Sequence, residues 1–293
     1  MHITISWSEI KQLIWGMSEF NLFGFGEATF TDAPITNELP IRSEENGVMA
    51  FHAGVEMKLL LFLKKHLEPG SSTSLVLSKI DEFCYHTHWM MHVGNEKREI
   101  LSSALKTALL TTTTNTPFQI LEFGTYCGYS SVLFCELLNF LSPGRPYKII
   151  TIEIDEKNAS IARQIHSLAG VGNFVEVVTA SSIQAALTTI SKSILFDFLF
   201  VDHDKDLYLS DMLHAVRDLK IMRSKAVVCA DNVIMGAIDD YRDFCASDKG
   251  KQIFSSTETK KSFIEYSKNE RNDTTNRYKP EEYVDGVEVS KIK

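Results

Sequence analysis

The stretch Ile120–Phe134, ILEFGTYCGYSSVLF, predicts the fold of the chain. An apolar run ends in an acid, Glu122, a turn with Gly124 and Gly128 follows, and a helix-like pattern then begins. A strand that passes through a glycine-bearing turn into a helix is how α/β proteins hold nucleotide-like ligands. The two glycines have the spacing GxxxG, which does not match the dinucleotide fingerprint GxGxxG and so disfavours an NAD-dependent dehydrogenase.

Strand and helix patterns alternate from Phe118 to the C-terminus. The predicted strands are 118–123, 147–154, 174–179, 196–202, 225–231, 262–267 and 283–292. The predicted helices are 129–141, 155–170, 183–192, 206–220 and 235–246, and the second of them has Asp155 as its N-cap and Gly170 as its stop. Near-continuous apolar strands between helices indicate an α/β fold, with a mostly parallel seven-stranded sheet that has helices on both faces. Such sheets bind ligands at the carboxyl ends of their strands.

The N-terminal part of the chain has a different pattern. Three helical patterns, at 53–67, 73–86 and 95–111, precede the first strand. We therefore divide the chain as follows: an extension over 1–50, then one domain over 51–293, with N-terminal helices over 51–115 and a Rossmann-like core over 116–293. The polar segment 268–282 is expected to be a solvated loop.

Composition excludes several classes of protein. The formal charge of -8, without long Lys or Arg runs, argues against nucleic acid as a partner. The apolar run 59–63 is far shorter than the roughly 20 residues that a membrane span requires. Five cysteines without a CxxC pair, and no signal-peptide pattern, suggest reduced thiols and a cytoplasmic location. We expect a monomer that acts on a small molecule.

Polar residues follow three of the predicted strands. Glu153 ends the second strand, where a carboxylate can accept hydrogen bonds from adjacent ribose hydroxyls or simply be solvated. Asp202 ends the fourth strand, and Asp231 and Asn232 end the fifth. Neighbouring parallel strands lie about 5 Å apart, so these three side chains can converge, and their oxygens suit Mg²⁺. The alternative for the same residues is ordinary capping of the helices that follow.

Three clustered histidines suggest a competing metal site. His86, His88 and His92 form the pattern HxHx₃H, which is not a standard structural zinc spacing and lacks a fourth ligand. We interpret them as surface or pocket-rim histidines.

Several motifs together resemble the catechol O-methyltransferase family. They occur in the family's order and nearly its spacing: WMMHVGNEK, LEFGTYCGYS, ITIEI, LAGV, DHDKDLYL, ADNVI, SFIEY and VDGVE. The resemblance extends from about Leu59 to the C-terminus. It implies a Rossmann-like class I methyltransferase that uses S-adenosylmethionine (SAM).

The resemblance also implies a set of cofactor-binding residues. They are Val93 and Glu122 at the methionine end, Tyr126 and Ser130 in the turn and helix start, Glu153 at the ribose, Ile154, Ser182 and His203 around the adenine, and Asp202. Acidic and aromatic groups suit a sulfonium cation on physical grounds.

For the reaction itself, the resemblance implies methylation of a catechol hydroxyl in the presence of Mg²⁺. Lys205, three residues after Asp202, would be the general base, although an exposed lysine is usually only a solvated charge. Glu265 and Asn232 would bind the substrate together with Lys205. Trp89 and Met91 would wall its planar ring, whereas the alternative for this pair is ordinary core packing.

The chain departs from the family pattern near the substrate and adenine. Asp204 stands where the family has a tryptophan, no proline follows Asn232 closely, and Ile183 replaces a glutamine. Ala180 or Ser181 replaces a glycine. Methyl transfer is therefore better supported than catechol as the substrate. Another phenol or vicinal diol is an alternative, and so is a SAM-binding protein that has lost catalysis.

Overall fold

A seven-stranded sheet lies at the centre of the computed structural model, which describes residues 54–112, 116–190, 194–236, 238–276 and 278–293. The extension predicted over 1–50 lies outside these residues. The strands are β1 (Phe118–Phe123), β2 (Tyr147–Glu153), β3 (Val175–Thr179), β4 (Phe196–Val201), β5 (Met222–Ala230), β6 (Phe254–Phe263) and β7 (Val284–Ile292).

The strand order is β3-β2-β1-β4-β5-β7-β6. The first five of these strands are parallel, and β7 runs antiparallel to both of its neighbours. The order reverses between β1 and β4, and α/β sheets bind their ligands in the crevice at such a switch point. The predicted site residues at the ends of β1, β2, β4 and β5 therefore lie side by side at the carboxyl ends of these strands. We call this side of the sheet the carboxyl edge, as distinct from the edge strands β3 and β6.

Helices cover both faces of the sheet, as predicted. They are α1 (Val55–His66), α2 (Thr73–His86), α3 (Arg98–Thr111), α4 (Tyr129–Leu141), α5 (Glu156–Leu168), α6 (Ile183–Thr189), α7 (Tyr208–Leu213), α8 (Asp239–Ala246), α9 (Gly250–Ile253) and α10 (Lys268–Asn272). Successive strand residues point to opposite faces, so Ile120 packs with α1–α5 and Leu121 packs with α6–α9.

Local capping sets the bounds of α5. The Asp155 carboxylate accepts hydrogen bonds from the backbone N–H groups of Lys157 and Asn158, at 2.7 and 3.2 Å. Gly170 follows the helix with φ of 66°, a conformation that glycine adopts without steric cost. Both features were predicted from the sequence.

Three predicted elements differ from the structure. The helix expected over 206–220 is α7 with a 3₁₀ turn before it and a π-helical turn after it. The strand expected over 262–267 is β6, which begins at Phe254 and ends at Phe263. Its first eight residues are largely polar because β6 is an edge strand, and Lys260 and Lys261 are typical of such edges. The expected loop 268–282 contains α10 and a 3₁₀ turn, Pro280–Tyr283.

All five cysteines are buried and free. None of the helices in the described ranges has the length and apolar character needed to cross a bilayer.

Candidate active site

The turn after β1 packs directly against the end of β4. Gly124 has φ of 91°, and a Cβ on it would overlap the carbonyl oxygen of Asp202. The backbone N–H of Asp202 donates to the Phe123 carbonyl at 2.9 Å. Gly128 is similarly constrained, because a Cβ there would lie 2.5 Å from Nε2 of the buried His166. Both glycines are therefore needed for close approach, as well as for their positive φ angles.

Glu122, near the end of β1, is a buried acid without a well-formed hydrogen bond. Its side chain is fully buried, and neither carboxylate oxygen accepts a hydrogen bond of good geometry from the described part of the chain. Burial raises its pKa to about 7, although the nearby hydroxyls of Ser130 and Thr151 act in the opposite direction. An unsatisfied buried polar group is costly, so this carboxylate is suited to a ligand that brings donors or positive charge.

Glu153 is held at the end of β2 by two backbone groups. Its Oε2 accepts the N–H of Tyr126 at 2.7 Å, and its Oε1 accepts the N–H of Asp155 at 2.9 Å. Each oxygen keeps a further lone pair for a ligand hydroxyl. The next residue, Ile154, has 62% of its surface exposed, so an apolar side chain stands open beside the carboxylate.

The other predicted cofactor residues also lie near this edge, and two of them have structural partners. Ser182 caps α6 by accepting the backbone N–H of Ala185 at 3.1 Å. His203 lies 3.0 Å from Asp211 through Nε2 and stacks on Tyr208 with ring centroids 5.1 Å apart. Both side chains are thereby oriented before any ligand binds.

The remaining two cofactor candidates are buried. Ser130 lies in the first turn of α4, and Val93 belongs to the core under α1–α5.

The ends of β4 and β5 meet at the ammonium group of Lys205. Its Nζ donates to Asp202 Oδ1 at 2.9 Å, to Asn232 Oδ1 at 2.8 Å and to the Tyr208 hydroxyl at 2.6 Å. Two predicted residues, Asp202 and Asn232, therefore converge on the amine of a third, Lys205. Tyr208 was not predicted, although its place three residues after Lys205, on the same face of the helical turn, is a usable signal.

Asp231 binds a second lysine, one that the sequence analysis missed. Lys97 is completely buried, and its Nζ lies 2.8 Å from Asp231 Oδ1, 3.4 Å from Glu265 Oε2 and 2.8 Å from Asp285 Oδ2. Burial alone would lower the pKa of Lys97, but the carboxylates of Asp231, Asp285 and Glu265 raise it well above its ordinary value. The lysine is therefore a fixed positive charge among three acids.

The segment before α3 lies against Glu265. The indole N–H of Trp89 donates to the Glu265 carbonyl at 3.0 Å, and a Cβ on Gly94 would be 2.8 Å from the Glu265 Cβ. Met91, in the same segment, is 41% exposed. Trp89 and Glu265, which were both predicted to contact the substrate, are thus neighbours.

The clustered histidines differ in their exposure. In the described ranges, no group of three His, Cys, Asp or Glu side chains is arranged to hold a metal ion. The magnesium candidate has only two carboxylates, because its third donor is an amide. His86 is exposed as expected, whereas His92 is buried and lies 5.3 and 5.4 Å from the rings of Tyr126 and Tyr129. His92 therefore does not lie on the surface, whereas its place at the rim of a pocket stays a prediction.

Residues 68–247 match the model of a family described as O-methyltransferase. The chain belongs to the O-methyltransferase family. Its relatives include catechol O-methyltransferase of Mus musculus, 30% identical, with 88% of this chain and 86% of the relative covered. Catechol O-methyltransferase B of Danio rerio is 36% identical over 64% of this chain and 66% of the relative, so this match spans just under two thirds of the relative.

Solved O-methyltransferases share the fold. The enzyme from Bacillus cereus in complex with SAH is 20% identical, with a TM-score of 0.51 and coverage of 80% of this chain and 97% of the other. TomG from Streptomyces achromogenes in complex with SAM is 21% identical, with a TM-score of 0.51 and coverage of 80% and 96%. The predicted Rossmann-like class I methyltransferase fold is confirmed.

Proposed function

We propose that this O-methyltransferase transfers a methyl group from SAM to one hydroxyl of a catechol-type substrate, with Mg²⁺ bound at the site. The observation that carries this proposal is the convergence of Asp202, Lys205 and Asn232 at the carboxyl ends of β4 and β5. The end of β5 also supplies Asp231, and Glu265 is linked to Asp231 through Lys97.

The edge formed by β1 and β2 fits SAM. The unpartnered, buried Glu122 suits a cationic group at the methionine end, and Glu153 suits the ribose hydroxyls. The exposed Ile154 suits one face of the adenine. Two of the solved neighbours are complexes with SAH or SAM, which supports the same ligand for this chain.

The edge formed by β4 and β5 fits Mg²⁺, because Asp202, Asp231 and Asn232 offer the hard oxygen donors that this ion prefers. When bound, SAM would supply a sulfonium methyl group, and Mg²⁺ would bind the diol oxygens and acidify one hydroxyl.

The chain's own groups would hold the substrate and move its proton. In its neutral form the Lys205 amine, which lies within hydrogen-bond distance of Asp202, Asn232 and Tyr208, would accept the proton of the reacting hydroxyl and become an ammonium. The Glu265 carboxylate would accept a hydrogen bond from the second hydroxyl. Positioning of two reactants in this way can supply roughly 7–11 kcal/mol of rate enhancement.

Another phenol or vicinal diol is the second candidate substrate, and one residue favours it. Asp204 occupies the position of a family tryptophan, and its carboxylate accepts the backbone N–H of Asp206 at 3.1 Å. An exposed acid at this place changes the wall that a flat aromatic ring would meet. The names of the curated relatives support catechol itself.

A methyl-transfer assay tests the proposal. Purified protein is incubated with SAM labelled on its methyl group and a panel of catechols, monophenols and aliphatic diols, with Mg²⁺ or with excess chelator. We expect labelled product from catechols in Mg²⁺, no turnover in chelator, and recovery when Mg²⁺ is restored. Full activity in chelator would reject the metal. SAM binding by calorimetry without turnover on any acceptor would instead identify a cofactor-binding protein that has lost catalysis.

A further inference from the structure

Asp285 joins the two sides of the site from β7, which lies between β5 and β6 in the sheet. Its Oδ2 accepts hydrogen bonds from Lys97 at 2.8 Å and from the side-chain amide of Asn232 at 2.9 Å. Its Oδ1 accepts the backbone N–H of Met235 at 3.0 Å. Both oxygens are therefore engaged, and the carboxylate is completely buried.

Asp285 determines the orientation of the Asn232 amide. Because Nδ2 donates to Asp285, Oδ1 faces the opposite way, where it lies 2.8 Å from Lys205 Nζ. A flipped amide would place Nδ2 against an ammonium and Oδ1 against a carboxylate, and both contacts would be unfavourable.

Lys97 likewise orients two carboxylates, those of Asp231 and Glu265. Asp231 accepts Lys97 and the backbone N–H of Asn232 on the same oxygen, Oδ1, at 2.8 and 2.7 Å. Its Oδ2 is thereby left for other ligands. Lys97 also approaches Glu265 through Oε2, and so holds an acid from the segment after β6 beside one from β5.

We propose that Lys97 and Asp285 are a buried positioning pair that determines which oxygens of Asp231, Asn232 and Glu265 face the metal and the substrate. This inference rests on the proposed function and deepens it. In this proposal neither residue contacts the metal or the substrate directly, and both act through the groups that do. Partners of this kind typically change metal affinity by 10–100-fold when they are removed.

The decisive variant is Asp285→Asn, which keeps the side-chain volume but removes the charge that orders Lys97 and Asn232. Mn²⁺, used as a spectroscopic substitute for Mg²⁺, is titrated by electron paramagnetic resonance in the absence of substrate. SAM affinity is measured separately by calorimetry. We expect Mn²⁺ affinity to fall 10–100-fold and SAM affinity to change less than about twofold, because the cofactor edge is formed by other strands.

Asp197→Asn is the matched control. Asp197 is also buried, accepts the backbone N–H of Gln119 at 2.8 Å and pairs with Arg223 at 3.1 Å, but it lies in the first half of β4, away from the site. We expect this variant to lose stability without any change in Mn²⁺ affinity. An equal loss of Mn²⁺ affinity in both variants would mean that Asp285 acts only through stability, and would overturn the proposal.

Lys97→Arg and Lys97→Met provide a second comparison. Arginine keeps the charge, so we expect it to retain more Mn²⁺ affinity than methionine and to have the lower KM for the phenol. If Lys97→Met fails to fold, the Asp285→Asn variant still tests the inference. A folded Asp285→Asn protein with wild-type Mn²⁺ affinity would refute it. Methyl transfer by a wild-type protein that binds neither Mn²⁺ nor Mg²⁺ would refute both this inference and the proposed metal requirement. The proposed use of SAM would still stand.

Discussion

The unpartnered Glu122 carboxylate makes a sharp prediction about pH. Burial raises its pKa from an ordinary 4.5 to about 7, so the folded protein without SAM holds a proton that the unfolded chain releases. Its contribution to stability is therefore complete below pH 4.5 and is lost as the pH rises through 7. The difference between these two pKa values corresponds to about 3 kcal/mol of folding stability at the most. We expect Glu122→Gln, which is neutral at every pH, to gain about 2.5 kcal/mol of stability relative to the wild type between pH 5 and pH 8.

SAM should reverse this preference if a cationic group of the ligand lies beside Glu122. Binding would then favour the ionised carboxylate and expel its proton. At pH 5 nearly all of the free wild-type protein is protonated at Glu122, so we expect SAM affinity to rise by up to roughly 100-fold between pH 5 and pH 8. At pH 7 about half a proton should be released on binding. The Gln variant should bind SAM more weakly at pH 8 and lose this pH dependence.

Two measurements check these statements. Urea unfolding at pH 5 and pH 8 gives the free energy of unfolding of both proteins, and calorimetry in buffers of different ionisation enthalpy gives the SAM affinity and the number of protons released. Ionisation of SAM itself contributes equally to the pH dependence of binding in both proteins, so it cancels when the wild type and the variant are compared. Glu136→Gln, on α4 with Arg98 as its partner at 2.7 Å, is a control outside the turn. Identical pH dependence of SAM binding in the wild type and Glu122→Gln would refute the reasoning.

Three further variants test two residues of the site, Glu153 and Lys205, and the buried His166 beside it. Glu153→Ala should weaken SAM binding by roughly 1.5–3 kcal/mol, the usual value of hydrogen bonds to a charged group; unchanged affinity by calorimetry in a folded variant would reject the ribose role. Lys205→Met should lower kcat by about 10²–10⁴-fold and leave SAM affinity nearly unchanged, and a near-normal kcat with a catechol would show that this amine is not the base. His166 is buried under Gly128, and burial lowers its pKa to about 4, so its stability contribution is present above pH 6.5 and is lost as the pH falls toward 4. His166→Gln should therefore lose less stability than the wild type between pH 7.5 and pH 4.5 in urea unfolding, by up to about 3 kcal/mol, and an equal loss in both proteins would contradict this assignment.

Local sequence signals predicted most of the elements because each signal is a property of a few neighbouring residues. The apolar runs of β1, β2 and β4 and the cap of α5 at Asp155 were identified in this way. Most of β6 was not predicted, because its side chains are mostly polar. An edge strand is stabilised largely by its backbone pairing with β7, and that pairing leaves no apolar pattern in the sequence.

For the site, the sequence by itself determined which acids end the strands. Strand periodicity and the turn after each strand place Glu122, Glu153, Asp202 and Asp231 at one edge of a parallel sheet. Which partner each acid has was decided only by the tertiary structure. Lys97 meets Asp285 across 188 positions of the chain because β7 inserts between β5 and β6, and no local pattern specifies that insertion. Long-range contacts of this kind follow from strand order and burial, whereas strand ends follow from the residues beside them.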